Sequence, residues 1–116
     1  MNYTTAEENG ILTFSLFEKK LDTAISGLLK GEMTTIFGRS TAKGYILHLP
    51  DVESCDSSGL SALLVAKRLV HEKNGVLRIV TESSKIRNLI TITRLDEVLS
   101  VCGSTTQARE EIAKAI

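Results

Sequence analysis

The run Tyr45-Ile46-Leu47-His48-Leu49, set between Gly44 and Pro50, narrows the possible folds more than any other stretch of the chain. A strand with one solvated face alternates apolar and polar residues, whereas a nearly continuous apolar strand is covered on both faces. Only His48 interrupts this one. The segment therefore belongs in the middle of a sheet with helices packed on it, and Pro50, which has no N–H for a ladder, ends it.

The flanking patterns supply the rest of such a sheet. Asn9-Gly10 is a turn signal, and Leu12, Phe14 and Leu16 alternate with Thr13 and Ser15, as in a half-buried strand whose partner is Tyr3 to Ala6. From Asp22 the spacing changes. Ile25, Leu28, Leu29, Met33 and Ile36 fall three or four apart, which predicts a helix capped by Asp22, with one apolar stripe, ending at Gly38 and the Ser40 to Gly44 stretch.

A second helix carries Leu60, Leu63, Leu64, Lys67, Val70 and His71 and stops at Asn74-Gly75, a pair suited to left-handed backbone angles. Strand Val76 to Val80 follows. Ser83 or Ser84 caps a third helix with Ile86, Leu89 and Ile90, and Val98 to Val101 form a brief strand. Ser104-Thr105-Thr106-Gln107 reads as a capping box opening a last helix with Ala108, Ile112 and Ala115 inward. With 116 residues, no internal repeat and no linker, one α/β domain spanning residues 1–116 is expected.

Composition excludes several functions. The chain has 14 basic and 14 acidic residues, no tryptophan and 4% aromatic residues, so it lacks the basic, aromatic-rich surface that nucleic acids select. The first ten residues are polar and acidic, unlike an export signal, and the longest apolar runs, Ile11 to Phe17 and Leu60 to Ala66, fall well short of the roughly 20 residues of a membrane span. The expected location is the cytoplasm. Cys55, Cys102, His48 and His71 fit no metal-ligand spacing, no cofactor motif is present, and both cysteines read as buried free thiols.

The segment that composition leaves unexplained is Asp56-Ser57-Ser58-Gly59, between a strand-leaving loop and the second helix. Asp and Ser are preferred helix caps, but one cap suffices, and a second hydroxyl is left over. Helix-start amides have no partners within the helix and favour anions, so Ser57 is a candidate phosphate acceptor. Ser57 is not a hydrolase nucleophile: Cys55 stands where a nucleophile elbow has its first glycine, and His71 lies on the same predicted helix.

The run from Tyr45 through Asp56-Ser57-Ser58-Gly59-Leu60 resembles the STAS family of anti-sigma factor antagonists, in which a hydrophobic strand leads to a D-S-[ST]-G-L helix start. Lys20-Leu21-Asp22 likewise resembles the family's leucine-aspartate pair, and the order of elements matches along the whole chain. Two positions depart from the family pattern: Lys19 replaces a glycine and Ser54 a bulky apolar residue. The resemblance implies a STAS-like fold with a small mixed four- to five-stranded sheet covered by amphipathic helices. It also implies a non-enzymatic antagonist that binds an anti-sigma factor, itself a GHKL-type serine kinase, and is switched off by phosphorylation at Ser57 and reset by a phosphatase. Asp22, Asp56, Ser57, Ser58, Gly59, Leu60 and Ser61, with Lys67 further along the helix, would form the binding face, and Ser58 would be a structural hydroxyl. The alternative is a constitutive STAS subunit of a larger complex, such as a lipid transporter or signalling assembly, with Ser57 only a cap.

Overall fold

The central strand lies where its composition requires. In the computed structural model, which describes residues 1–116, Gly44–His48 (β4) occupies the middle of a five-stranded sheet. The other members are Tyr3–Glu8 (β1), Ile11–Leu16 (β2), Val76–Val80 (β6) and Val101–Cys102 (β7), and the order across the sheet is β1-β2-β4-β6-β7. Only β1 runs antiparallel to its neighbour, so the sheet is mixed. The β1–β2 hairpin closes through Asn9 and Gly10, at φ of 53° and 77°. Positive φ at both central residues is what a type I′ turn demands and what Asn-Gly tolerates.

Strand periodicity sorts the side chains into two cores. Leu12, Phe14, Leu16, Tyr45, Leu47, Leu77 and Ile79 face one side and pack with Leu29, Met33 and Phe37 of helix Thr23–Arg39 (α1) and Ala62, Leu63, Ala66 and Val70 of helix Ser57–His71 (α2). Ile11, Ile46, Val80 and Cys102 face the other side and pack with Ala108 and Ile112 of helix Thr105–Ala115 (α4). Gly44 lets α4 approach closely: a Cβ there would collide with the Ile112 side chain. Helix Ser84–Ile92 (α3), capped by Ser83, joins β6 to a short 3-10 turn, Leu95–Glu97, that precedes β7. No helix is long and apolar enough to cross a membrane.

Several expectations need correction. Leu28 is 53% exposed, because the inward stripe of α1 is Ser26, Leu29, Met33 and Phe37. On α2 the inward positions are Gly59, Ala62, Leu63, Ala66 and Val70, leaving Leu64 exposed. Leu64 is larger and more hydrophobic than an alanine, yet the close packing of α2 beside α1 favours the small Ala62 and Ala66. At the turn after α2, Asn74 alone takes the left-handed conformation, at φ 57°. Gly75 serves packing instead, since a Cβ would press on the Lys43 carbonyl, Val70 and Tyr45. Residues Val98 to Ser100 lie outside the last strand, which is only Val101–Cys102, and Ala115 is exposed.

Candidate partner-binding site at two adjoining helix starts

A second, two-stranded sheet builds the site. Lys20–Leu21 (β3) pairs in parallel with Ser54–Cys55 (β5), setting Lys20 opposite Ser54 and Leu21 opposite Cys55. The Leu21 carbonyl also accepts from the Asp56 amide at 3.4 Å. Because Asp22 follows β3 and Asp56 follows β5, this ladder brings the starts of α1 and α2 side by side. Nothing in the periodicity of either strand announced it, since two residues are too few to show alternation.

Each helix is capped by its aspartate. Asp22 Oδ1 accepts from the Ile25 amide at 3.2 Å, and Asp56 Oδ1 accepts from the Gly59 amide at 3.0 Å. The cap of α2 is therefore the acid, and both serines are released from capping. Ser57 is exposed and its side chain forms no hydrogen bond to the rest of the chain. Ser58 is half-buried, and its Oγ donates to Asp56 Oδ1 at 2.6 Å. Thr23 Oγ1 lies 3.2 Å from Ser58 Oγ, linking α1 to α2. The Ser58 hydroxyl and, after it, the Gly59 amide hold the Asp56 carboxyl below the usual carboxylate range.

The other residues expected here divide into surface and support. Asp22, Leu60 and Ser61 are half-buried along the two helix starts, and Lys67 is half-buried further along α2. Gly59 is buried and presents no surface: a Cβ there would run into the Leu21 carbonyl oxygen and Cys55 Sγ. Its place in the motif is to seat α2 on the β3–β5 ladder. Thr23 escaped the sequence reading, although an aspartate followed by a hydroxyl residue before each of two helices was a usable signal.

Cys55 is half-buried rather than buried, and its thiol donates to the Asp56 carbonyl at 3.4 Å. Burial first, and the Asp56 charge second, push it up to about 11. Alkylation of Cys55 by iodoacetamide at pH 8 should run about a hundredfold slower than that of an unperturbed thiol, because only the thiolate reacts. The rate should climb as pH rises toward about 11, read by mass spectrometry of the Cys55 peptide. A rate at pH 8 equal to that of free cysteine contradicts this environment.

His48 lies at the end of β4 with Nδ1 3.2 Å from Ser15 Oγ, and burial holds its ring below the usual histidine value despite the nearby Asp51 and Glu82. No group of three or more His, Cys, Asp or Glu side chains is arranged to hold a metal.

Comparison with known proteins places this geometry in a family. Residues 2–111 match the STAS domain family. A Thermotoga maritima protein assigned as an anti-sigma factor antagonist is 27% identical over 82 residues, which are 68% of this chain and 73% of that protein. An anti-sigma factor antagonist from Mycobacterium paratuberculosis has the same fold, with a TM-score of 0.85 at 18% identity over 97% of this chain and 93% of that one. The phosphorylated form of the Bacillus cell fate determinant SpoIIAA aligns with a TM-score of 0.68 at 15% identity, covering 96% of this chain and 99% of that one. The matched span includes both capped helix starts and the ladder between them, and the chain belongs to the STAS domain family.

Proposed function

We propose that this protein is an anti-sigma factor antagonist whose α2 start binds an anti-sigma factor of the GHKL serine-kinase type and loses that affinity when Ser57 is phosphorylated. The observation that carries the reading is the division of labour at the helix start: Asp56 caps, Ser58 is engaged, and Ser57 is exposed and unpaired. Relatives assigned as antagonists, and the phosphorylated SpoIIAA of the same fold, support it.

In the proposed step the Ser57 Oγ–phosphorus bond forms as the bond between the γ-phosphorus of ATP and the oxygen bridging to ADP breaks. The hydroxyl proton passes to a base on the kinase, and ADP leaves. The product carries about 1.5 to 2 negative charges where a neutral hydroxyl stood. The free amides at the start of α2 can accommodate that charge, so the fold keeps its arrangement while the docking face becomes more negative. A serine phosphate ester is kinetically stable in water, so resetting requires a phosphatase.

The test is co-purification from source cells followed by incubation with ATP and site mapping by mass spectrometry. Recovery of an ATP-dependent serine kinase that modifies Ser57 is the expected result. Label confined to another residue, or recovery of a transporter ATPase in place of a kinase, overturns the reading; the latter result favours a constitutive subunit.

A further inference from the structure

Resting on the reading of Ser57 as the acceptor, we infer that Thr23 and Asp56 are positioning residues that decide which of the two adjacent serines receives phosphate, by withdrawing Ser58 from the reaction. Ser57 and Ser58 are neighbours in the first turn of α2, and a kinase seated there meets both. Their surroundings differ. Ser58 Oγ is 2.6 Å from Asp56 Oδ1, a length proper to a hydroxyl donating to a carboxylate.

A serine hydroxyl has one proton, and that of Ser58 is directed to Asp56. In the 3.2 Å contact between Thr23 Oγ1 and Ser58 Oγ, Thr23 is therefore the donor. The chain of hydrogen bonds runs from Thr23 through Ser58 to Asp56, whose Oδ1 also accepts the Gly59 amide.

Phosphoryl transfer asks two things of the acceptor oxygen: a proton that the kinase's base can reach, and a lone pair facing phosphorus at about 3 to 3.5 Å. At Ser58 the proton is engaged by Asp56, and Thr23 Oγ1 already stands on the oxygen at such a distance. At Ser57 both are open to solvent. The bond made and the bond broken would be the same at either serine, so the choice between them lies in this difference of access. Asp56 is a weak base in place of the kinase's own, because the bonds it accepts hold its carboxyl low. Thr23 and Ser58 are 35 residues apart, so the selection depends on the fold that joins the two helix starts.

The experiment uses the full chain, ATP and the kinase recovered by co-purification, and reads the ratio of phosphate on Ser58 to phosphate on Ser57 by mass spectrometry. Thr23→Ala removes one neutral hydrogen bond and the obstruction, and the ratio should rise about 2- to 10-fold. Asp56→Asn keeps a good helix cap but replaces the charged acceptor, and should raise it by about tenfold or more. Thr23→Ser, which restores the hydroxyl, should return the ratio to that of the unaltered protein. A change in helix docking alone slows labelling at both serines together and leaves the ratio where it was. A ratio unmoved in both Thr23→Ala and Asp56→Asn overturns the inference while leaving Ser57 as the acceptor. Absence of label on Ser57 in the unaltered protein overturns that underlying reading and the inference with it.

Discussion

Ser57→Asp should weaken the proposed complex with an anti-sigma factor by about a hundredfold or more while leaving the fold intact. A hundredfold loss corresponds to about 2.7 kcal/mol. Placing a carboxylate against a surface shaped for a neutral hydroxyl reaches that magnitude, since an unpaired or like-charged group at a close interface costs several kcal/mol. The same charge at the first position of α2 favours the helix by about 0.3 to 1 kcal/mol, through the aligned peptide dipoles. Binding and stability therefore move in opposite directions. Titration calorimetry with the purified partner reads the first and thermal unfolding the second. Ser57→Ala should keep the affinity and lose the proposed switch. Equal affinities for Ser57→Asp and the unaltered protein would remove charge at this position as the means of control.

Gly59→Ala should lower stability by about 1 to 3 kcal/mol, as overpacking does where neighbours cannot retreat. The new Cβ meets the Leu21 carbonyl oxygen and Cys55 Sγ, and comes within 3.0 Å of Leu21 Cγ. These atoms belong to the β3–β5 ladder, so the start of α2 has to lift off it, taking the Asp56 cap with it. For a domain of this size the loss should appear as a fall of roughly 4 to 15 °C in Tm. The control has the opposite sign. Gly27 and Gly31 lie on the exposed side of α1, where an added methyl group would find nothing within 4 Å, and alanine at either should stabilise by about 0.5 to 1 kcal/mol. A Gly59→Ala protein as stable as the parent would mean that the helix start shifts freely and that the glycine has no packing role.

The elements that the sequence foretold well are those with local causes. The Asn9-Gly10 hairpin, the capping of α1 by Asp22, the capping box at Ser104 and Gln107, and the central position of β4 each follow from a few adjacent residues. The capping box shows a local variation: Gln107 Oε1 accepts from the Gly103 amide at 3.3 Å. Errors fell where a neighbouring element decides what is inside. Leu28 and Leu64 have the spacing and hydrophobicity of core residues but turn outward, at 53% and 39% exposure, because α1 and α2 turn inward the faces that carry Ser26, Ala62 and Ala66, small residues that a hydrophobic count undervalues.

At the site, the sequence by itself determined that a helix begins at Asp56-Ser57-Ser58-Gly59 with more hydroxyls than capping requires, because cap preference and helix periodicity act over three or four residues. It could not determine which of these side chains is occupied. The tertiary structure settles it, because the ladder of Lys20–Leu21 with Ser54–Cys55 sets Thr23 beside Ser58 and leaves Ser57 in solvent. The physical reason is range: a hydrogen bond across 35 residues depends on sheet order and on how two helices are seated, and no pattern within either segment carries that information.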